Sequence, residues 1–246
     1  MRHWLAQLVL VLSVTALAPS TVKSMDYPHV PGLHKLVLEQ DEIRFTVVIP
    51  ETYDGQTRLP MVLALHYGGV VTPFYGASLL TELVEPALRE TGAIMVAPDN
   101  EGTAWDNVAS EARVMTLLHN LFAEYPIDRD RILVTGYSLG GIGSWYYAAR
   151  HPALFSAAIP VSGRAPANVS EVDWTPPIFV IHGDRDDVFP IAQALADVDA
   201  LERRGKHIRI DVVEGAVHYN VAGFREALHS TVPWIENIWR SRALSE

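Results

Sequence analysis

Short apolar runs, most of them rich in β-branched residues, recur along the chain at 34–39, 44–49, 61–66, 93–97, 131–135, 157–161, 178–182 and 208–213. The first two alternate apolar and polar positions, with only Gln40, Asp41 and Glu42 near their junction, so they predict an antiparallel hairpin. The later runs are almost continuously apolar, the pattern of parallel strands buried on both faces. Between them apolar positions repeat at threes and fours. Leu79, Leu80, Leu83, Val84, Ala87 and Leu88 predict one helix, broken or restarted at Pro86. Val108, Ala112, Met115, Leu118 and Phe122 predict a second, ending before Pro126. Ile191, Ala194, Leu195, Val198 and Leu201 predict another, closed by Gly205. A terminal helix is expected over residues 221–240, kinked at Pro233. Strands alternating with helices predict an α/β domain: a mostly parallel central sheet of about eight strands, helices on both faces, and an antiparallel hairpin to start it. No repeat or linker divides residues 25–246, which read as a single domain. In open α/β sheets ligands sit at the carboxyl ends of the strands, so the chemistry is expected there.

The first 24 residues carry a different pattern. Arg2 is followed by an apolar run over 5–18, interrupted only by Gln7, Ser13 and Thr15, and then by small residues up to Ser24. This is the form of a secretory signal, with cleavage expected after Ser24 and a secreted or periplasmic destination. The run is short of the roughly 20 apolar residues that span a bilayer. The leader holds Arg2, Lys23 and no acid. Removing it lowers the 19 Lys and Arg to 17 against 29 acidic residues, moving the net charge from −10 to −12. Such a surface opposes binding to nucleic acid and to anionic membranes. Cysteine is absent from all 246 residues, which excludes disulfide scaffolds, thiolate metal sites and thiol catalysis. No His-Glu-x-x-His spacing occurs, and neither metal nor cofactor is implied.

Hydroxyl and carboxylate chemistry remain. The run 131–135 leads into Gly136-Tyr137-Ser138-Leu139-Gly140-Gly141, and a helix-compatible stretch follows to Arg150. Gly-x-Ser-x-Gly alone is weak, but a strand entering it and a helix leaving it give the context of a nucleophile elbow. Ser138 would then be lifted above the sheet edge, with the Leu139 amide aimed at a developing oxyanion. A serine hydroxyl needs a base, and the base needs an orienting acid. The run 178–182 is followed by Asp184, Asp186 and Asp187. Asp186 is the preferred acid, because Asp184 comes straight off the strand and Asp187 is placed to cap the next helix. Only His207, His218 and His229 follow that loop. His207 falls at the amino end of the last strand and His229 inside the terminal helix, whereas His218 follows the strand's carboxyl end. His218 is therefore the expected base. After the run 61–66 come His66-Tyr67-Gly68-Gly69, whose amides are candidates for the second half of the oxyanion hole, Gly68 first and Tyr67 second; His66 is read as stabilising that loop.

Together these residues resemble the α/β-hydrolase superfamily over nearly all of residues 25–246. The stretches YPIDRDR (125–131), TGYSLGG (135–141), AARHP (148–152) and PVSG (160–163) are similar to its polyhydroxybutyrate-depolymerase-type, feruloyl-esterase-type and prolyl-oligopeptidase-type branch. The resemblance implies a serine carboxylic-ester hydrolase with the triad Ser138, Asp186 and His218. One departure is Tyr67, which stands where the oxyanion loop often carries a first glycine. Only residues 162–177 separate the sixth and seventh runs, too few for a lid of several helices, so short-chain, aromatic or polymer-linked esters are the expected substrates. Trp105 and Trp174 are candidates to line the site, with packing of loop tips as the alternative. A small peptidase of prolyl-oligopeptidase type, an acyltransferase and a non-catalytic binding module are the competing readings.

Overall fold

The computed structural model describes residues 25–244, apart from Glu101 and Thr103. The proposed leader therefore lies outside the described residues. Eight strands account for the eight apolar runs: β1 Gly32–Leu38, β2 Ile43–Ile49, β3 Leu59–Leu65, β4 Ile94–Pro98, β5 Ile127–Tyr137, β6 Ala157–Val161, β7 Ile178–Gly183 and β8 Ile208–Val213. They form one sheet in the order β1-β2-β4-β3-β5-β6-β7-β8. The hairpin β1–β2 is antiparallel and β2 runs antiparallel to β4, while every pairing from β4 to β8 is parallel.

Alternation along the central strands explains the layering. Met61, Leu63 and Leu65 of β3 face one core, shared with α3 (Val108–Glu124), α4 (Leu139–Arg150) and α5 (Ile191–Glu202). Val62 and Ala64 face the other. That core is covered by α1 (Gly76–Leu79), α2 (Glu85–Leu88), α6 (Arg225–His229) and α7 (Val232–Ala243). Each large aliphatic side chain so enclosed contributes about 1.5–3 kcal/mol. Burial on both sides is what made these strands read as unbroken apolar runs. The fold is that of the α/β-hydrolases.

Two boundaries differ from the sequence expectation, at β5 and at Pro233. β5 begins at Ile127, before the predicted run, because Asp128, Arg129 and Asp130 are polar positions within a strand. At Pro86 the helix restarts, one of the two outcomes expected there. The proline sits in the first turn of α2, just after a π-helical turn at Leu80–Val84, whose wider winding precedes a residue that cannot donate a hydrogen bond. Pro233 is not a kink within one helix: the helix is interrupted at Ser230–Thr231, and Pro233 occupies the first turn of a separate α7, where its missing N–H costs nothing. Residues 162–177, between β6 and β7, hold turns and bends but no helix, so no lid covers the carboxyl edge there. Among the described residues, no helix is long and apolar enough to cross a membrane.

Candidate active site

β5 ends at Tyr137 and α4 begins at Leu139, leaving Ser138 alone in the turn at φ 56°, ψ −114°. That is strained backbone for a residue with a side chain. Two glycines permit it. A Cβ on Gly140 would lie 1.7 Å from the Leu65 carbonyl oxygen, and one on Gly136 would lie 2.4 Å from the Gly140 carbonyl oxygen. Strand, turn and helix are thus in backbone contact, and the Ser138 side chain is projected off the end of the sheet. The Ser138 N–H donates to the Val161 carbonyl at 2.9 Å, tying the turn to β6.

The serine meets a histidine eighty residues away. Ser138 Oγ lies 2.9 Å from His218 Nε2, and His218 Nδ1 lies 2.8 Å from Asp186 Oδ2. With Nδ1–H donating to the carboxylate, Nε2 is free to accept the serine proton. All three side chains are buried. Burial would raise the Asp186 carboxyl, but the hydrogen bond from His218 and those from the Phe189 and Val188 amides outweigh it and hold it below the usual aspartate range. Those amides donate to Oδ1 at 2.8 and 2.9 Å. Of the competing acids, Asp184 is exposed and accepts from the Gly215 N–H at 2.6 Å, joining the acid loop to the loop that carries His218. Asp187 is exposed too, but it does not cap α5: Pro190 occupies the cap position without a side-chain bond.

On the other side of Ser138, the loop after β3 lies against the elbow. A Cβ on Gly68 would meet Leu139 Cδ1 at 2.8 Å, so Gly68 rests directly on the first helical residue of α4. The leading N–H groups of a helix have no acceptor within it and are available to an anion. The loop is fixed from below. His66 Nδ1–H donates to the Tyr67 carbonyl at 2.7 Å, and Nε2 accepts from the Asn100 N–H at 3.0 Å, which sets one neutral tautomer. Burial pushes this imidazole below the usual histidine range, against the opposing pull of the Tyr67 carbonyl and Asp99. Tyr67, the second candidate donor, is half-buried, its ring edge-on to Tyr137 at 6.2 Å. A cleft of about 510 Å³ opens here, lined among others by Arg44, His66, Gly68, Asn100, Trp105 and Leu139.

The two tryptophans part company. Trp105 borders that cleft, but it is almost wholly buried, and its indole N–H donates to the His66 carbonyl at 2.8 Å. Trp174 is a correction to the expectation. It lies in the core, edge-on to Trp145 at 5.1 Å, with its N–H on the Val169 carbonyl, because its loop folds back over α4 instead of along the strand ends. Two supporting residues carried no sequence signal of their role. Asp99 accepts from the Phe74 and Gly76 amides and so anchors the far end of the 67–76 loop. The Tyr137 hydroxyl donates to the His218 carbonyl, clamping the histidine loop onto the elbow.

The fold is that of an α/β-hydrolase, and its site joins a serine, a histidine and an aspartate by hydrogen bonds. It matches the Dienelactone hydrolase family over residues 42–229 and belongs to that family. It is 27% identical over 155 residues to a probable feruloyl esterase C of Aspergillus terreus, covering 58% of this chain and 54% of that protein. A probable acetylxylan esterase A of Aspergillus flavus is 32% identical over 120 residues, 42% of this chain and 36% of that protein. The chain thus spans about half, or less, of the length of these relatives. The crystal structure of a thermostable esterase superposes with a TM-score of 0.70 at 21% identity, over 83% of this chain and 62% of that one.

Proposed function

We propose that this protein is a serine carboxylic-ester hydrolase. The observation that carries the reading is the continuous hydrogen-bonded relay from the strained Ser138 through His218 to the buried Asp186. His218 takes the Ser138 proton as Oγ attacks the ester carbonyl, and Asp186 steadies the imidazolium that forms. The Leu139 and Gly68 amides receive the oxyanion, with Tyr67 the second choice for the loop donor. His218 then hands its proton to the departing alcohol. A water attacks the acyl-enzyme by the same route in reverse, and the acid is released.

The geometry also divides the substrate. The departing alcohol must lie on the His218 side, because that ring protonates it. The cleft at Gly68, Trp105 and Leu139, beside the loop that supplies the oxyanion amide, receives the acyl group. An acyl group of small or aromatic size fits its volume, and the helix-free connection between β6 and β7 leaves room for a polymeric alcohol. The names of the feruloyl and acetylxylan esterase relatives support esters of this kind. The protein acts after export, with the leader removed behind Ser24.

A panel of p-nitrophenyl acetate, butyrate and ferulate against peptide anilides tests the reading. Turnover of the esters with negligible anilide cleavage is expected. Preferential anilide cleavage contradicts it and favours a peptidase; transfer to an added alcohol in preference to water would mark an acyltransferase.

A further inference from the structure

A second histidine lies against the Asp186 carboxylate, and the reaction above does not use it. His182 stands near the end of β7 behind Ile178, Phe179, Val180 and Ile181, and it is 1% exposed. Its Nε2 is 2.6 Å from the Phe189 carbonyl oxygen and 3.5 Å from Asp186 Oδ2, while Nδ1 is buried without a partner. The contact with a carbonyl requires the proton on Nε2. A polar ring in an otherwise apolar strand, with one nitrogen unsatisfied, is costly to bury, and such groups persist where they have a task.

Phe189 indicates the task. Its N–H donates to Asp186 Oδ1 at 2.8 Å, its ring stands edge-on to His218 at 5.3 Å, and its carbonyl is the one His182 holds. We propose that His182 is a positioning residue: by gripping the Phe189 carbonyl it fixes the 186–189 turn, so that the carboxylate presents Oδ2 to His218. The proposal rests on the serine-hydrolase reading. The polar and titratable groups facing this pair are His182 from β7, Ser138 and Tyr137 from the elbow, and Tyr219 beside His218; Asp184, Arg185 and Asp187 of the same loop are exposed.

Two substitutions separate positioning from packing. His182→Phe keeps a ring of similar size but has no donor, whereas the amide of His182→Gln reaches the place of Nε2. In p-nitrophenyl acetate hydrolysis, His182→Phe is expected to lower kcat about tenfold or more with little change in KM, as loss of a supporting contact does. It should also move the acid limb of the kcat/KM profile to lower pH, because a loosened carboxylate stabilises the imidazolium less. His182→Gln should restore both. An unchanged acid limb and kcat in His182→Phe would overturn the proposal, as would a folded His182→Gln that is equally impaired. If His182→Phe does not fold, His182→Asn, whose amide reaches only the place of Nδ1, replaces it; equal activity of the Asn and Gln variants overturns the proposal. Wild-type protein inert toward every ester would instead refute the underlying reading, so the two failures are distinguishable.

Discussion

Ser138 is held at a positive φ by neighbours that have no side chains, and this makes the elbow sensitive in a way that can be measured. Gly140→Ala places a Cβ inside the Leu65 carbonyl and should destabilise the protein by about 4 kcal/mol or prevent folding. Gly205→Ala also sits at positive φ, 72°, but in open space, so about 1 kcal/mol of backbone strain is expected. Urea unfolding distinguishes the two, and equal losses would contradict the contact argument. The three aspartates of the acid loop differ as sharply. Asp186→Asn should lower kcat about 10⁴-fold by favouring the wrong histidine tautomer. Asp187→Asn should leave kcat near wild type, and Asp184→Asn should act only through the Gly215 turn it holds. The juxtaposition of Ser138, His218 and Asp186 was legible in the sequence because each follows an apolar run at the same sheet edge. Tyr137, Asp99 and His182 were not. Their partners lie 81, 25 and 7 residues away, and no local spacing announces a bond to a distant backbone group.

Among the helices, α3 and α4 are joined by a polar cluster. Glu111 on α3 accepts from the Tyr146 hydroxyl at 2.7 Å, Arg150 Nε at 2.8 Å and His151 Nε2 at 2.8 Å. Burial would raise its carboxyl, but the bonds from Arg150, Tyr146 and His151 outweigh this and hold it below its ordinary 4.5. A carboxylate depressed on folding stabilises the protein above its unfolded value, and that stabilisation is lost as pH falls through the folded one. Glu111→Gln should therefore lower stability by about 1–3 kcal/mol at neutral pH. The deficit should shrink steadily below pH 4.5, and urea unfolding at several pH values checks it. A pH-independent deficit would assign the cluster a packing role only. Helix ends were less legible than helix cores for a related reason. Pro86 and Pro233 interrupt the periodic pattern alike and each falls in the first turn of its helix, but only Pro86 follows a π turn.

Across the whole molecule, the strand runs and their two-sided burial were readable from the sequence, and with them the sheet and its parallel direction. Strand order was not, since it depends on which crossovers pack. The absence of a helix between β6 and β7 carries a functional expectation. Activity should decline from p-nitrophenyl acetate and butyrate to the palmitate, with no rise as the long ester forms micelles. An increase at the micellar transition would point to a covering element that opens at interfaces. Membership of the Dienelactone hydrolase family, with feruloyl and acetylxylan esterase relatives, agrees with the resemblance drawn from the TGYSLGG and AARHP stretches. In the proposed function Ser138 is an activated nucleophile. Treating the protein with a fluorophosphonate and mapping the adduct by peptide mass spectrometry tests it most directly. One adduct on Ser138, absent from Ser138→Ala and strongly slowed in His218→Ala, is the expected result. No adduct, or an adduct on another residue with Ser138 unmodified, would contradict it.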